Sequence, residues 1–249
     1  MDEPLLQTQG VTKEFDGLFA VDDLSFSFDS DLLYAIIGPN GAGKTTLFNL
    51  LTGALKPTAG SITFAGEDVT DLSMEQVARR GLVRSYQISQ LFEEMTVHEN
   101  VRVAVQSDHS VFDCWSQIDD DEEINARTAE VLEQVGLSHR ADELASSLSH
   151  GEQRTLEIAV ALGTDPDLLL LDEPSSGMSP EETTDVIQLI GELASTQPIV
   201  FIEHKMSVVR EVADRILVLH NGQKIAEGTP ADVREDAEVQ RVYLGGQKL

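Results

Sequence analysis

The sequence is poor in cysteine and in long apolar runs. Its 249 residues include one cysteine, Cys114, which excludes an internal disulfide framework. No apolar run approaches the ~18 residues of a membrane-spanning helix; the longest, 168–171 and 198–202, have the length of strands. The N-terminal sequence MDEPLL has no basic region that would indicate a signal peptide. We therefore expect a soluble, cytoplasmic protein of one large domain, or of a domain with a subdomain.

Basic residues are also scarce. Seventeen lysines and arginines stand against 44 acidic residues, which gives a formal net charge of −27. A field of this sign repels nucleic acid and anionic lipid, so we expect no nucleic-acid partner. Strong net charge is also typical of disorder, but the apolar periodicity of the chain argues against it. Two interpretations stay open: a halophilic protein that works in concentrated salt, where self-repulsion is screened, or an ordinary acidic protein.

The order of the predicted elements indicates an α/β fold. LLQTQGVTKEF, AVDDLSFSFD and GSITFAG are typical of N-terminal strands, the first two half-buried and antiparallel. Helical patterns dominate from about Val97 to Leu162, around a polar, acidic loop over residues 107–121. Strands and helices then alternate, which indicates a largely parallel sheet. We predict one domain over 1–249, with an antiparallel β part and a helical insertion.

Short local signals predict three features of the C-terminal half. Ser179 as N-cap, Pro180 at the first position and Glu182 as the partner of a capping box predict a helix start. Asn221-Gly222 predicts a tight hairpin turn. PADVREDAEVQRVYL predicts a single last helix.

The stretch GPNGAGKTT matches the pattern G-x-x-x-x-G-K-[ST] of a phosphate-binding loop. A buried strand, LYAIIG, precedes it and a helix follows it, so a chance glycine-rich turn is disfavoured. Backbone N–H groups and the helix dipole would hold phosphate oxygens. Lys44 would reach the β- and γ-phosphates, Thr45 would place its hydroxyl on Mg²⁺, and Thr46 would help to hold phosphate. The predicted nucleotide-binding residues are Gly38, Pro39, Asn40, Gly41, Ala42, Gly43, Lys44, Thr45 and Thr46.

Acidic side chains follow a second buried strand. In LLLLDEP, Asp172 and Glu173 emerge at the C-terminal end of the strand, the edge where open parallel sheets bind ligands. Asp172 is suited to hold Mg²⁺ through water, and Glu173 to activate or orient an attacking water. The alternative, a strand that ends in solvated acids, is weakened by the phosphate-binding loop. His204 follows the next strand, PIVFIEH, and would lie at the same edge, although a lone histidine is more often structural.

Taken together, these motifs resemble those of the ATP-binding cassette (ABC) ATPases. GPNGAGKTT, LSHGEQR, LLLLDEPSSGMSP and IEH stand in the order and spacing of that family, and the resemblance covers nearly the whole chain. It implies a P-loop NTPase cassette with a RecA-like core, an N-terminal antiparallel β subdomain and a helical subdomain at about residues 89–163. It also implies ATP and Mg²⁺ as ligands.

LSHGEQR is similar to the family signature LSGGQ, with His150 in place of the first glycine. The resemblance implies that two cassettes stack head to tail, and that the signature loop of one covers the γ-phosphate held by the other. Ser149 and Gly151 would contact that phosphate, with Gln153 at the edge. Ser149 and Glu152 also form a capping box, so an ordinary helix start is an alternative, and both can hold.

Four further positions take roles from the resemblance. Gln87, in VRSYQIS, is similar to the Q-loop glutamine that senses Mg²⁺; from the residues alone it is a strand-end glutamine. Phe15 matches the aromatic residue that stacks on adenine, with a core position as the alternative. His204 matches the switch histidine. Ser179 stands where many members have aspartate, which weakens any role in cross-talk between subunits.

The family resemblance implies in-line attack of water on the γ-phosphate of ATP. Lys44 and Mg²⁺ would take up charge, and Thr45, Gln87 and Asp172 would arrange the metal. Glu173 would polarise the water and His204 would hold the γ-phosphate. An unrelated P-loop kinase is disfavoured by the signature.

Several stretches resemble the ATPases of branched-chain amino acid importers, among them VTKEFDGLFAVDDLSF and VQRVYLGG. The urea importer ATPases are close relatives and stay open as an alternative. Less favoured are a soluble ABC ATPase and an exporter of lipopolysaccharide or lipid.

An importer implies partners in other chains. The partner cassette would be the same or a sister chain. Membrane permease subunits would dock near SQLFEEMTVHENV, unless that segment merely packs the helical part, and a substrate-binding protein would act through them. The protein would lie on the cytoplasmic face of the membrane.

The net charge generates a prediction about salt. If the protein is halophilic, its melting temperature rises steeply between about 0.1 M and about 2 M KCl, because the screening length shrinks from about 10 Å to below about 3 Å. Thermal denaturation followed by circular dichroism measures this. A fully folded, active protein in dilute buffer would contradict the halophilic interpretation.

Overall fold

The computed structural model describes residues 4–85, 91–108 and 119–244. Within these ranges the strands are β1 Leu6–Phe15, β2 Leu18–Phe28, β3 Tyr34–Ile37, β4 Ala59–Phe64, β5 Glu67–Asp68, β6 Leu82–Ser85, β7 Leu168–Asp172, β8 Ile199–Ile202, β9 Arg215–His220 and β10 Gln223–Gly228. The helices are α1 Lys44–Leu51, α2 Met74–Ala78, α3 Val97–Asp108, α4 Asp119–Gln134, α5 His150–Leu162, α6 Pro180–Leu193, α7 Met206–Val212, α8 Pro230–Glu235 and α9 Ala237–Leu244.

The strands form two sheets. The first has the order β2-β1-β4-β5 and is antiparallel throughout. The second has the order β10-β9-β3-β8-β7-β6; its strands β9 to β6 are parallel and β10 pairs antiparallel with β9. The predicted α/β class with an antiparallel N-terminal part is confirmed.

The larger sheet separates two apolar cores, because its strands alternate their side chains between two faces. Leu168 and Leu170 of β7 belong to the core shared with α1 and the antiparallel sheet. Leu169 and Leu171 belong to the core on the opposite face, which includes residues of α3 to α6. All four side chains are at most 2% exposed, so β7 is buried on both faces, as its continuous apolar run predicts.

Helices α3, α4 and α5 come between β6 and β7 along the chain, where the sequence predicts a helical insertion. That residues 89–163 form a subdomain of a single domain stays a prediction. Two predicted bounds are wrong: α3 continues to Asp108 and α4 begins at Asp119, so the predicted loop 107–121 is helical at both ends. Residues 109–118, with Cys114, lie outside the described part of the chain.

The predicted last helix is also wrong, because it is two helices. The chain leaves helical geometry at Asp236, with φ −65° and ψ 124°. Its carboxylate then accepts hydrogen bonds from the N–H groups of Glu238 at 2.8 Å and Val239 at 3.0 Å. Asp236 therefore acts as the N-cap of α9, a signal that the apolar pattern of the segment conceals.

Other local predictions are confirmed. Ser179 caps α6 in a capping box with Glu182, and Pro180 opens the helix. Asn221 and Gly222 both have positive φ, 48° and 80°, as a tight type I′ turn requires. Within the described ranges, the structure contains no helix with the length and apolarity to span a membrane.

Candidate nucleotide-binding site

Three neighbouring parallel strands end at one edge of the larger sheet. β3, β8 and β7 are adjacent and lead into Gly38, Glu203 and Glu173 respectively. Asp172, the last residue of β7, pairs in register with Ile202 of β8. The structure therefore brings the phosphate-binding loop, Asp172 and the residues after β8 to a common edge, as the sequence predicts.

The phosphate-binding loop is held close to the backbone around it. Gly43 caps α1 in a left-handed conformation with φ 101°, and a Cβ there would lie 2.3 Å from the carbonyl oxygen of Ala20. A Cβ on Gly38 would lie 2.4 Å from the carbonyl oxygen of Leu219. Only glycine fits at both positions, because the obstructing atoms are backbone atoms. The loop can therefore bend with its N–H groups inward.

Lys44 folds back over this loop. Its Nζ donates hydrogen bonds to the carbonyl oxygens of Gly38 at 2.7 Å and Pro39 at 3.2 Å, and the residue is 6% exposed. Burial lowers the pKa of Lys44, and the negative charges of Glu173, Asp172 and Glu203 oppose that shift. An anion in the loop would favour the charged ammonium further.

A cleft of about 500 Å³ opens beside the loop. Its lining residues are Ala20, Asn40, Gly41, Ala42, Gly43, Lys44, Thr45, Thr46 and Glu173. The lining combines backbone N–H groups at the start of α1 with one cation, two hydroxyls and one carboxylate. The N–H groups, the ammonium and the hydroxyls are the donors that a polyphosphate requires.

The acidic edge fits a hydrated Mg²⁺. Asp172 is 2% exposed, and its Oδ1 has no hydrogen-bond partner within the described residues. A buried carboxylate oxygen without a partner is costly unless a ligand satisfies it, and a metal-bound water would do so. Thr45, also predicted to bind the metal, is exposed at the start of α1. Gln87, the third predicted ligand, lies outside the described residues.

The sequence gives no direct signal for Arg84, which the structure places on Asp172. Its Nη2 pairs with Asp172 Oδ2, and both side chains are at most 5% exposed. Arg84 pairs in register with Leu170, so Arg84 and Asp172 project from the same face of the sheet. No signal within the sequence identifies this partner, because the contact depends on β6 lying beside β7.

A second buried arginine reaches the same aspartate. Arg154 of α5 donates to the backbone oxygen of Asp172 at 2.7 Å and to Glu157 Oε2 at 2.5 Å. The helix that begins with the signature is therefore tied to the strand that carries the acidic edge.

The residues after β7 and β8 brace each other. Glu203 is completely buried, and its carboxylate accepts from the N–H groups of Ser175 at 3.1 Å and His204 at 3.2 Å. Glu173 has a positive φ of 45°, and its N–H donates to Ile202 at 3.0 Å. The imidazole of His204 is 45% exposed. It lies at the same edge and projects to the surface.

The signature residues do not line the cleft around the phosphate-binding loop. Ser149 caps α5, and its capping box with Glu152 is confirmed. The N–H of Gly151 donates to Glu182 Oε1 at 3.2 Å, while the Glu182 Oε2 accepts from Ser179 N–H at 3.0 Å. One carboxylate therefore joins the starts of α5 and α6.

Two other predicted residues have defined positions. Gln153 donates from Nε2 to the backbone oxygen of Ala145 at 3.4 Å. Phe15 lies at the end of β1 and is 44% exposed, so its alternative assignment to the core is wrong. The ammonium of Lys13 lies 5.1 Å from the centre of its ring. The ammonium lies over one face of the ring, so adenine would have to stack on the other face.

The comparisons with known proteins agree with this geometry. A model described as "ABC transporter" matches residues 21–176, and one described as "Branched-chain amino acid ATP-binding cassette transporter" matches residues 223–248. The chain is 42% identical to the high-affinity branched-chain amino acid transport ATP-binding protein LivG of Salmonella typhimurium, over 98% of this chain and 99% of that protein. The corresponding protein BraF of Pseudomonas aeruginosa is 39% identical, with the same coverage.

Solved structures of ABC transporter cassettes have the same fold as this chain. The crystal structure of an ABC transporter cassette in its ADP conformation superposes with a TM-score of 0.86 at 33% identity, covering 98% of this chain and all of that one. A nucleotide-free cassette superposes with a TM-score of 0.84 at 32% identity and the same coverage.

The shared carboxylate of Glu182 generates a prediction. The substitution Glu182→Ala removes a hydrogen-bond acceptor from two helix starts. We therefore expect it to lower the melting temperature of the protein more than Glu181→Ala does. Hydrogen bonds lower the pKa of Glu182 below its ordinary value of 4.5; the largest contribution comes from the N–H of Ser179, followed by its hydroxyl and by the N–H of Gly151. The stabilisation is therefore complete above that value and is lost as pH falls through the lowered pKa.

Thermal denaturation of both variants and the unchanged protein, from pH 7 downward, measures the difference. Glu181 is the matched control, since it lies exposed in the same helical turn and carries the same charge. Equal melting temperatures for the two variants at pH 7 would show that the link contributes nothing.

Proposed function

Because the chain belongs to the ABC transporter family and is an ATPase of that family, we propose that it energises uptake of branched-chain or other hydrophobic amino acids. Transport would proceed through separate membrane permease subunits. The observation that carries the proposal is the match of residues 223–248 to the branched-chain amino acid cassette model, beyond the core shared by all cassettes. The names of relatives that align over nearly the whole chain support it. A urea or short-chain amide importer is the alternative.

The residues at the sheet edge suggest how ATP is hydrolysed. The phosphate-binding loop and Lys44 would hold the β- and γ-phosphates, and Thr45, Asp172 and Gln87 would hold Mg²⁺. Bound Mg²⁺ would neutralise charge on the transferred group. Glu173, which lines the cleft, orients the water that attacks the γ-phosphorus in line with the departing ADP oxygen. His204 contacts the γ-phosphate, and Phe15 stacks on adenine.

The signature suggests a dimer, with an identical or a sister cassette. Ser149, Gly151 and Gln153 would cover the γ-phosphate held by the partner. The start of α5 suits this role, because its N–H groups and dipole favour an anion. Glu182 already supplies an anion to Gly151 N–H, so the partner's phosphate would have to replace it.

A permease would dock beside the segment that precedes α3. Asn100 is 2% exposed and fixes this segment, accepting from Phe92 N–H at 2.8 Å and donating to the Thr96 oxygen at 2.9 Å. Phe92 itself is 54% exposed. The segment thus packs through Asn100 and presents an aromatic surface. The protein would lie on the cytoplasmic face of the membrane, with a substrate-binding protein acting through the permease.

We also keep the proposal of a halophilic source. Acidic residues occupy exposed positions along the chain, for example Glu14, Asp31 and Asp71. Such carboxylates repel one another in dilute buffer and are screened in concentrated salt.

Glu173→Gln tests the hydrolytic mechanism. Loss of the carboxylate should lower ATP turnover by about 10²–10⁴-fold, the range for loss of a general base, while ATP affinity survives. Steady-state turnover and equilibrium binding of a fluorescent ATP analogue give the two values. Turnover equal to that of the unchanged protein would refute the role of Glu173. Lys44→Ala serves as the comparison, since it should weaken ATP binding itself.

A pull-down tests the transport assignment. The Glu173→Gln protein, which should accumulate the ATP-bound dimer, is incubated with native membranes in molar salt with ATP. A permease and a cassette should co-purify, and the associated binding protein should bind leucine rather than urea. Recovery of ribosomal or other soluble partners without a permease would overturn the transport role but leave the ATPase assignment intact.

A further inference from the structure

The side chain of Arg84 connects its own strand, β6, to β7 and to α1. It lies near the end of β6, where its side chain is 5% exposed. Its Nη2 pairs with Asp172 of β7, its Nη1 donates to Asn49 Oδ1 of α1 at 2.6 Å, and its guanidinium lies 5.4 Å from the ring centre of Phe48. The planar group is thus fixed by a carboxylate, an amide and an aromatic face, an arrangement that lysine cannot reproduce.

This contact changes the charge that a metal ion would meet. Asp172, Glu173 and Glu203 gather negative charge at the edge, which by itself would attract a divalent cation. Arg84 offsets the charge of Asp172 and engages Oδ2, while Oδ1 has no partner within the described residues. Asp172 therefore offers a cation one oxygen of a carboxylate that is already paired.

We propose that Arg84 is a positioning residue that keeps Asp172 ion-paired, so that a divalent cation binds there only together with the nucleotide. A metal ion that arrives alone meets a neutralised aspartate and the positive charge of Arg84. A metal–ATP complex brings phosphate oxygens as ligands and a negative charge that Lys44 and Arg84 attract. The inference rests on the proposed metal role of Asp172 and adds the residue that keeps Asp172 from binding a metal ion alone, Arg84.

Binding of Mn²⁺ to the full chain, followed by electron paramagnetic resonance with and without ATP, tests this proposal. With ATP, the signal of Mn²⁺ on the protein is separated from that of the free Mn²⁺–ATP complex. The unchanged protein should bind the Mn²⁺–ATP complex at least about tenfold more tightly than it binds Mn²⁺ alone. Arg84→Gln keeps a hydrogen-bond donor and removes the charge, so its affinity for Mn²⁺ alone should rise about tenfold. Arg84→Lys keeps the charge but loses the planar contacts, so its affinity for Mn²⁺ alone should lie between those of Arg84→Gln and the unchanged protein.

Arg80→Gln is the matched control for net charge. Arg80 precedes β6 and pairs at 2.8 Å with Glu67 on the surface, so its loss should leave Mn²⁺ binding unchanged. Equal affinity of Arg84→Gln and the unchanged protein for Mn²⁺ alone would overturn the inference. If Arg84→Gln does not fold, Mn²⁺ binding to the unchanged protein still tests the proposal. Binding of Mn²⁺ without ATP as tight as with ATP would contradict it.

Asp172→Asn separates this inference from the role on which it rests. Under the proposed function, this variant loses most of its affinity for Mn²⁺ in the presence of ATP. Undiminished affinity for Mn²⁺ would show that Asp172 does not bind the metal. The proposed role of Arg84 would then be refuted as well. An altered affinity of Arg84→Gln for Mn²⁺ alone is distinct from that result, because this variant keeps Asp172.

Discussion

Parallel pairing of β3, β8 and β7 is the constraint on which the site depends. It brings the ends of three buried strands to one edge and thereby gathers the carboxylates of Asp172 and Glu203 in the interior. A buried charge without compensation is strongly destabilising. The fold supplies that compensation locally: Arg84 pairs with Asp172, and two backbone N–H groups donate to Glu203. The sheet edge is therefore a network of buried polar groups that must be satisfied, at the place where the candidate nucleotide site lies.

The same network ties the signature helix to the acidic edge. Arg154 of α5 donates to the backbone of Asp172, and Glu182 of α6 accepts from Gly151 at the start of α5. A shift of α5 would thus disturb the strand that carries Asp172 and the start of α6. If the start of α5 binds a partner's nucleotide, as proposed above, these contacts would connect that surface to the acidic edge within one chain.

The scarcity of basic residues makes their placement informative. Lys44, Arg84 and Arg154 are all buried or nearly so and all contact the nucleotide site. Many acidic residues lie at exposed positions, for example Glu14, Asp31 and Asp71, whereas Asp172 and Glu203 are buried. Each of these cations faces carboxylates: Arg84 pairs with Asp172, Arg154 pairs with Glu157, and Lys44 lies in the field of Glu173, Asp172 and Glu203. The few buried cations thus offset the negative charge that the fold gathers at this edge.

The sequence by itself determined the features that depend on near neighbours in the chain. The phosphate-binding loop, the capping boxes of Ser149 and Ser179 and the turn at Asn221 each depend on signals within a few residues, and the alternation of strands and helices predicted the α/β class. Only the tertiary structure decided the ion pair of Arg84 with Asp172, 88 residues apart, and the contact of Gly151 with Glu182, 31 residues apart. Strand order and helix packing create such contacts, and a single sequence does not specify which strand lies beside which. The position of Phe15 was likewise decided by tertiary packing. Its local sequence is compatible with a buried or an exposed side chain, and the packing of the antiparallel sheet leaves it exposed.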